Sequence, residues 1–242
     1  MPNANCQMPS AKPDIVVSLS GGMDSAVCAA IAVDEVGAEQ VAALHVSYGQ
    51  RTETREQTSF LGICERLGIH RRLIFRTPFF RTIGGSALTD DQIAVPDAPT
   101  EIGAHIPVTY VPFRNAHFLS AAVSWAEVLG AGRIYIGAVQ QDSSGYPDCR
   151  PEFYRAYNEA IKTGTKEGRI EIVTPLIGLR KAQIVTLGLE LGAPLDLTWS
   201  CYSREDRACG VCESCVLRLR AFAAAGAPDP IPYQSGIASR VT

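Results

Sequence analysis

The sequence has no excess of positive charge. It carries 22 Lys and Arg against 25 Asp and Glu, a formal net charge of −3 over 242 residues. A chain that held nucleic acid or an anionic membrane surface by charge would be far more basic. Long apolar runs are also missing. No stretch approaches the roughly 20 residues of a membrane span. Residues 1–13 (MPNANCQMPSAKP) contain no apolar segment of the kind that opens a secretory signal. The expectation is a cytoplasmic, reducing setting with no membrane and no nucleic-acid partner. Charged residues make up 19% and hydrophobic ones 46%, which excludes disorder as the main state. Eight cysteines are too few for a disulfide scaffold. In reducing surroundings a cluster of them points to a metal instead. Cys201, Cys209, Cys212 and Cys215 form such a cluster, while Cys6, Cys28, Cys64 and Cys149 are scattered. His45, His70, His105 and His117 show no metal-ligand spacing.

What is present is an alternation of strand and helix signals. The β-branched run from Asp14 to Leu19 predicts a buried strand. An Ala-rich helix is predicted from Asp24 to Val36, then a strand from Val41 to Ser47. A polar helix follows from Thr52 to Leu67, and a strand from Arg72 to Phe75. Such β-α-β-α-β order argues for a parallel sheet covered by helices on both faces. Residues 78–112 interrupt it with a Pro- and Gly-bearing stretch too long for a simple connection. Beyond it, helices are predicted over 115–129, 151–162 and 180–191, strands over 134–137 and 170–173, and a short helix over 215–225. The expected division is a flexible tail (1–13), a nucleotide and substrate domain (14–198), a metal element (199–225) and a C-terminal tail (226–242). Arg71, Arg72, Arg218 and Arg220 read as solvated charge rather than as an RNA patch.

Two segments carry chemistry. Ser20-Gly21-Gly22-Met23-Asp24-Ser25 lies between a strand and a helix. Glycines there let the backbone approach a ligand, and the first N–H groups of the helix face an anion. The hydroxyls of Ser20 and Ser25 add donors. Asp24 would repel a phosphate, so it either holds Mg²⁺ or caps the helix. The kinase-type phosphate loop is absent, since no G-K-[ST] follows, and so is the dinucleotide fingerprint. The second segment is the C-x7-C-x2-C-x2-C run from Cys201 to Cys215. Four thiolates so spaced suit one closed, structural Zn²⁺, with an iron–sulfur cluster as the rival reading. The C-x3-C-P ending of bacterial ferredoxins is missing.

The Ser20–Ser25 string resembles the pyrophosphatase loop (PP-loop) of the N-type ATP pyrophosphatases. That resemblance implies cleavage of ATP between its α and β phosphates and adenylation of a substrate. Three further strings narrow it: Val111-Pro112-Phe113-Arg114-Asn115, Ser144-Gly145-Tyr146-Pro147-Asp148-Cys149-Arg150, and Ser200-Cys201-Tyr202 with the cysteine run. Together, from about Ile15 to Phe222, they are similar to the 7-cyano-7-deazaguanine synthase (QueC) family. The implied fold is α/β, a Rossmann-like parallel sheet of the adenine nucleotide alpha hydrolase-like type with a C-terminal zinc-binding helical element. The implied reaction makes the nitrile of 7-cyano-7-deazaguanine from 7-carboxy-7-deazaguanine, ammonia and ATP, releasing AMP and pyrophosphate, in a homodimer using Mg²⁺ and one Zn²⁺ per subunit. With no room for a glutaminase domain in a chain of this length, the expectation is that it takes free ammonia or receives it from outside.

The resemblance also implies roles. Asp24, Ser25, Arg114 and Lys181 are the candidate catalytic residues. Leu19, Ser20, Gly21, Gly22, Met23, Asp24 and Ser25, with Tyr48, Gln50 and Arg51, are the candidate ATP contacts. Arg114, Asn115, Asp142, Tyr146, Asp148 and Arg150 are the candidate substrate contacts. Cys201, Cys209, Cys212 and Cys215 are the zinc ligands. Two departures stand out: Phe113 replaces a glycine of familiar members, and Gln140-Gln141-Asp142 replaces Glu-Thr-Asp. The alternatives are a PP-loop enzyme that amidates or thiolates another substrate, with Cys149 the candidate sulfur carrier, and a non-catalytic nucleotide-binding module.

Overall fold

The computed structural model describes residues 12–99, 102, 105–140 and 145–235. Five parallel strands form one sheet in the order β3-β2-β1-β4-β5. They are β1 (Ile15–Ser18), β2 (Val41–Ser47), β3 (Arg71–Arg76), β4 (Arg133–Ile136) and β5 (Glu171–Val173). The chain starts at the centre, builds outward through β2 and β3, then returns to lay β4 and β5 on the other side. Central β1 pairs Ile15 with both Val41 and Arg133. Its apolar run has no polar face because it has no wet face: Ile15, Val16 and Val17 are fully buried. Edge strand β3 instead carries Arg71, Arg72 and Arg76, charges that discourage pairing with another sheet.

Alternation along β1 divides the core in two. Ile15 and Val17 point to one layer, where they meet α1 (Met23–Val36), α2 (Glu53–Arg66), α6 (Lys181–Glu190) and α7 (Glu213–Ala224). Val16 points to the other layer, packed with α4 (Arg114–Leu129) and α5 (Pro151–Gly164). The chain is thus α/β, with a doubly covered, Rossmann-like parallel sheet. No helix among the described residues is long and apolar enough to cross a membrane. The expected helices and strands are all present, their ends moved by one or two residues. Residues 78–112 contain a short helix, α3 (Phe79–Ile83), that the sequence pattern does not announce.

A third, smaller cluster surrounds the cysteines. Trp199, Cys201, Cys209, Cys212, Cys215 and Ile231 are all buried there. Arg218, expected on a solvated face, lies in the interior instead. Its Nε and Nη2 donate to the two carboxylate oxygens of Asp229 at 2.8 and 3.0 Å. Its remaining donors reach Thr198 Oγ1, Ser200 Oγ and the Leu195 carbonyl. A buried charge is costly unless it is paired, and removing one partner of a buried pair costs about 3–5 kcal/mol. This pair draws residues 226–235 onto the cysteine element. The Ala208 N–H donates to Pro232 O, and Gln234 N–H donates to Ala208 O. Composition marks 226–242 as a Pro/Gly/Ser tail, but Asp229 meets Arg218, and Ile231 and Tyr233 pack on the cysteine cluster.

The strand order reverses between β1 and β4, and crevices for ligands open at the carboxyl ends of such a pair. The loop after β1 and Gly137 after β4 meet at that point. A Cβ on Gly137 would lie 2.8 Å from the Asp24 carbonyl. Only glycine lets β4 run this close to the start of α1.

Candidate active site

The loop after β1 is held by its own atoms. Gly21 has φ +94°, a left-handed conformation that side chains resist, and a Cβ there would sit 2.5 Å from the Glu56 carbonyl. The Ser20 and Ser25 hydroxyls are 3.0 Å apart; Ser25 donates to Gly22 O, and Gly22 N–H donates to Ser20 Oγ. Asp24 does not cap α1: the capping position is Gly22, with no side-chain bond. Instead Asp24 Oδ2 accepts from Lys181 Nζ at the start of α6. Asp24 Oδ1 is buried with no partner among the described residues. A buried carboxylate oxygen left open beside serine hydroxyls suits a hard cation such as Mg²⁺.

Opposite this loop stands Arg114, at the start of α4. Phe113, just before it, has φ 56° and caps the helix in the left-handed region. The departure from glycine at Phe113 therefore falls where glycine would be least strained. Its ring packs edge-on against Phe153 at 6.0 Å, contact that a glycine would forgo. The Arg114 guanidinium donates to Tyr48 Oη at 3.0 Å and lies over the Tyr48 and Phe118 rings. No carboxylate of the described residues pairs with it, and its Nε has no acceptor. Burial opposes its charge, but the Tyr48 and Tyr146 phenols, Asp148 and Tyr202 outweigh this and hold its pKa above the usual range. A half-buried cation without an ion pair among the described residues is set to receive an anion. Burial also pushes the Tyr48 phenol up to about 12.

A cavity of about 270 Å³ joins these parts. Leu19, Ser20, Gly22, Met23, Asp24 and Ser25 line one side. Tyr48, Gln50, Arg51, Arg114, Asn115, Tyr146 and Lys181 also reach its wall. Gly21 packs behind the loop against α2. Several expected contacts are engaged elsewhere. Gln50 accepts from the Tyr48 N–H and donates to Glu56 Oε2. Arg51 donates to the carbonyls of Ala87, Asp90 and Ile93, so it pins residues 78–112 rather than standing free for a phosphate. Asp148 Oδ2 accepts the Asn115 N–H at 2.9 Å and caps α4 from outside. Arg150 is exposed and begins α5, away from the cavity. Asp142 lies outside the described residues. Cys149 faces the cavity, but burial first and Asp148 second push its thiol up to about 11, unlike a thiolate carrier. Two wall residues escaped the sequence reading. Gly137 reads there as the end of a strand, and Glu56 as one charge among many on a polar helix.

The four cysteine sulfurs lie within 4.8 Å of one another. Tetrahedral thiolates on one ion would be about 3.8 Å apart, from Zn–S bonds near 2.3 Å. The Ser203 and Cys209 N–H groups both donate to Cys201 Sγ at 3.4 Å, and Cys212 N–H donates to Cys209 Sγ at 3.3 Å. Such bonds stabilise thiolates, so this donor set fits a metal ion. The cluster is also joined to the cavity. Trp199 N–H donates to Gly21 O at 2.9 Å, and Ser214 and Leu217 of α7 form part of the wall. Ala98 N–H donates to Val211 O, tying residues 78–112 to the same element.

A glycine-rich loop at the switch point of a parallel sheet, an arginine with no ion pair among the described residues and a four-cysteine element define a PP-loop nucleotide-binding protein. The sequence model of the family described as "Queuosine biosynthesis protein QueC" matches residues 14–226. The chain is 73% identical over 223 residues to the 7-cyano-7-deazaguanine synthase of Koribacter versatilis, covering 92% of this chain and 94% of that one. It is 67% identical over 221 residues to the 7-cyano-7-deazaguanine synthase of Acidobacterium capsulatum, covering 90% and 95%. Among solved structures, the NH3-dependent NAD synthetase of Campylobacter jejuni aligns with a TM-score of 0.46 at 16% identity, over 78% of this chain and 68% of that one. The chain belongs to the QueC family.

An arginine half-buried without a counter-charge for the sake of a ligand should cost the empty protein stability. Arg114→Met is expected to keep stability to urea within about 1 kcal/mol of the parent or to raise it. The same variant should bind ATP or the carboxylate substrate at least 100-fold more weakly by calorimetry. A large loss of stability with unchanged binding would show that Arg114 serves packing.

Proposed function

We propose that this chain converts 7-carboxy-7-deazaguanine and ammonia into 7-cyano-7-deazaguanine at the expense of ATP, in queuosine biosynthesis. It is an ATP-dependent ligase-type enzyme. The observation that carries the reading is a cavity that sets a phosphate loop opposite an arginine with no ion pair among the described residues, in a chain of this family. A carboxylate resists attack by ammonia because oxide is a poor leaving group, and adenylation replaces it with AMP. The amide that forms first must be activated again before its oxygen can leave. Each round moves negative charge onto phosphate and carbonyl oxygens. The N–H groups at the start of α1, the Lys181 ammonium and the Arg114 guanidinium are fixed donors aimed into that space.

Leu19 to Ser25 and Tyr48 form the ATP side, and Arg114, Asn115 and Tyr146 the substrate side. Asp142 and Arg150 belong to the substrate contacts on the resemblance alone. Asp24 and Ser25 would hold Mg²⁺, which when bound supplies charge neutralisation on the phosphates. Cys201, Cys209, Cys212 and Cys215 would hold Zn²⁺ as a closed, structural ion. The protomer pairs with a second copy, and the exposed rings of Phe79 and Phe113 around His117 offer an apolar surface for it.

Incubation with ATP, Mg²⁺, ammonium chloride and 7-carboxy-7-deazaguanine should yield the nitrile by mass, with AMP and pyrophosphate. ADP as the nucleotide product, or turnover only with tRNA and sulfide, would contradict the reading. Native mass spectrometry should give twice the chain mass with one zinc per chain. A monomer would overturn the pairing, and visible iron–sulfur absorption would overturn the zinc.

A further inference from the structure

Ammonia carries three hydrogens and a nitrile nitrogen carries none. Three protons must therefore leave that nitrogen during the reaction proposed above, on which this inference rests. The cavity must offer an acceptor for them. We propose that Glu56 is the general base that takes protons from the reacting nitrogen.

The choice follows from what faces the cavity. No histidine lines it among the described residues. Asp24 is ion-paired with Lys181, and each neutralises the other. The Tyr48 and Tyr202 phenols and the Cys149 thiol are pushed upward by burial, so they hold their protons at neutral pH. The Tyr146 hydroxyl is bonded to Thr109 Oγ1 at 3.0 Å. Arginines do not accept protons. Glu56 is the cavity carboxyl that has no ion pair among the described residues. It is also held in place: Thr52 Oγ1 donates to Oε1 at 2.7 Å and Gln50 Nε2 donates to Oε2 at 2.9 Å. Each oxygen keeps a lone pair for a further donor. Burial raises its pKa, while the Thr52 and Gln50 bonds and the Arg114 charge across the cavity lower it; Glu53, on the same helix, raises it. The Tyr48 phenol faces it from the end of β2. A carboxylate raised toward neutrality is a better base than an exposed one.

The steps balance. The ammonia lone pair forms a C–N bond to the acyl adenylate, and Glu56 takes one proton from the cationic nitrogen. The carbonyl re-forms as the C–O bond to AMP breaks, AMP leaving with that electron pair. In the second round the amide oxygen attacks the α-phosphorus and pyrophosphate leaves. The nitrogen then gives its two remaining protons in turn to Glu56 as C≡N forms, and the C–O bond breaks with AMP leaving on that electron pair. Between these transfers Glu56 returns its proton to solvent.

Glu56→Gln separates base catalysis from binding. Carboxylate-dependent exchange of pyrophosphate into ATP reads adenylation without ammonia, and is expected within threefold of the parent. Amide formation should fall at least 100-fold, and the acid limb of kcat/KM expressed on free NH3, with the ammonium ionisation taken out, should disappear. Glu56→Asp should restore part of the rate and keep the limb; it carries the test if the Gln variant does not fold. The inference is overturned if Glu56→Gln keeps the rate and the limb, if adenylation and amidation fall equally, or if Asp142→Asn removes the limb while Glu56→Gln does not. A parent enzyme that forms neither amide nor nitrile would instead sink the underlying reading.

Discussion

The amide of Trp199 donates to the carbonyl of Gly21 at 2.9 Å, and through this bond the cysteine element holds the phosphate loop. Gly21 sits in the left-handed region against α2, so few conformations place its carbonyl there. Trp199 in turn is fixed from several sides. Its indole N–H donates to Arg204 O, the Arg55 guanidinium covers its ring at 4.6 Å, and it packs within the cysteine cluster. The residues between Trp199 and α7 have little apolar mass besides the cysteines. A metal ion on the four thiolates would contribute the folding free energy that such a segment lacks. In this account a metal that touches no substrate still sets the geometry of ATP binding.

The same element organises the rest of the cavity wall. Residues 78–112 dock on it through Val211 and are pinned on their other side by Arg51. Arg218 and Asp229 bring the C-terminal segment under it. Within this frame the cavity divides its charges. The phosphate loop, Lys181 and Arg114 gather cationic and N–H groups toward anionic ligands, while Glu56 offers an acceptor. Adenylation needs the first set and loss of protons from nitrogen needs the second. Keeping the carboxylate off the cations preserves both.

Strands, helices and the cysteine site were legible from local pattern. β1 reads as buried because Ile15, Val16 and Val17 have no polar neighbour to expose, and the cysteines converge because two-residue gaps allow it. Roles set by partners far along the chain were not legible. Arg51 follows a strand end, as a phosphate ligand would, yet its acceptors are 36 to 42 residues away. Asp148 sits in a string that resembles a substrate motif, but its carboxylate caps α4. Arg218 looks solvated until Asp229 folds back to meet it. Glu56 lies on a polar helix whose pattern cannot say which carboxyl turns toward the cavity. In each case a side chain's duty depends on tertiary neighbours that spacing does not record.

A metal on the four cysteines would position the phosphate loop through the bond from Trp199 N–H to Gly21 O. Calorimetric titration of ATP into the intact chain, before and after the metal is stripped with a chelator, tests it most directly. Circular dichroism on the same samples checks that the sheet persists. The account predicts ATP binding at least tenfold weaker without the metal, restored when metal is returned, with the sheet intact throughout. Equal ATP affinity in the stripped and loaded proteins would contradict it.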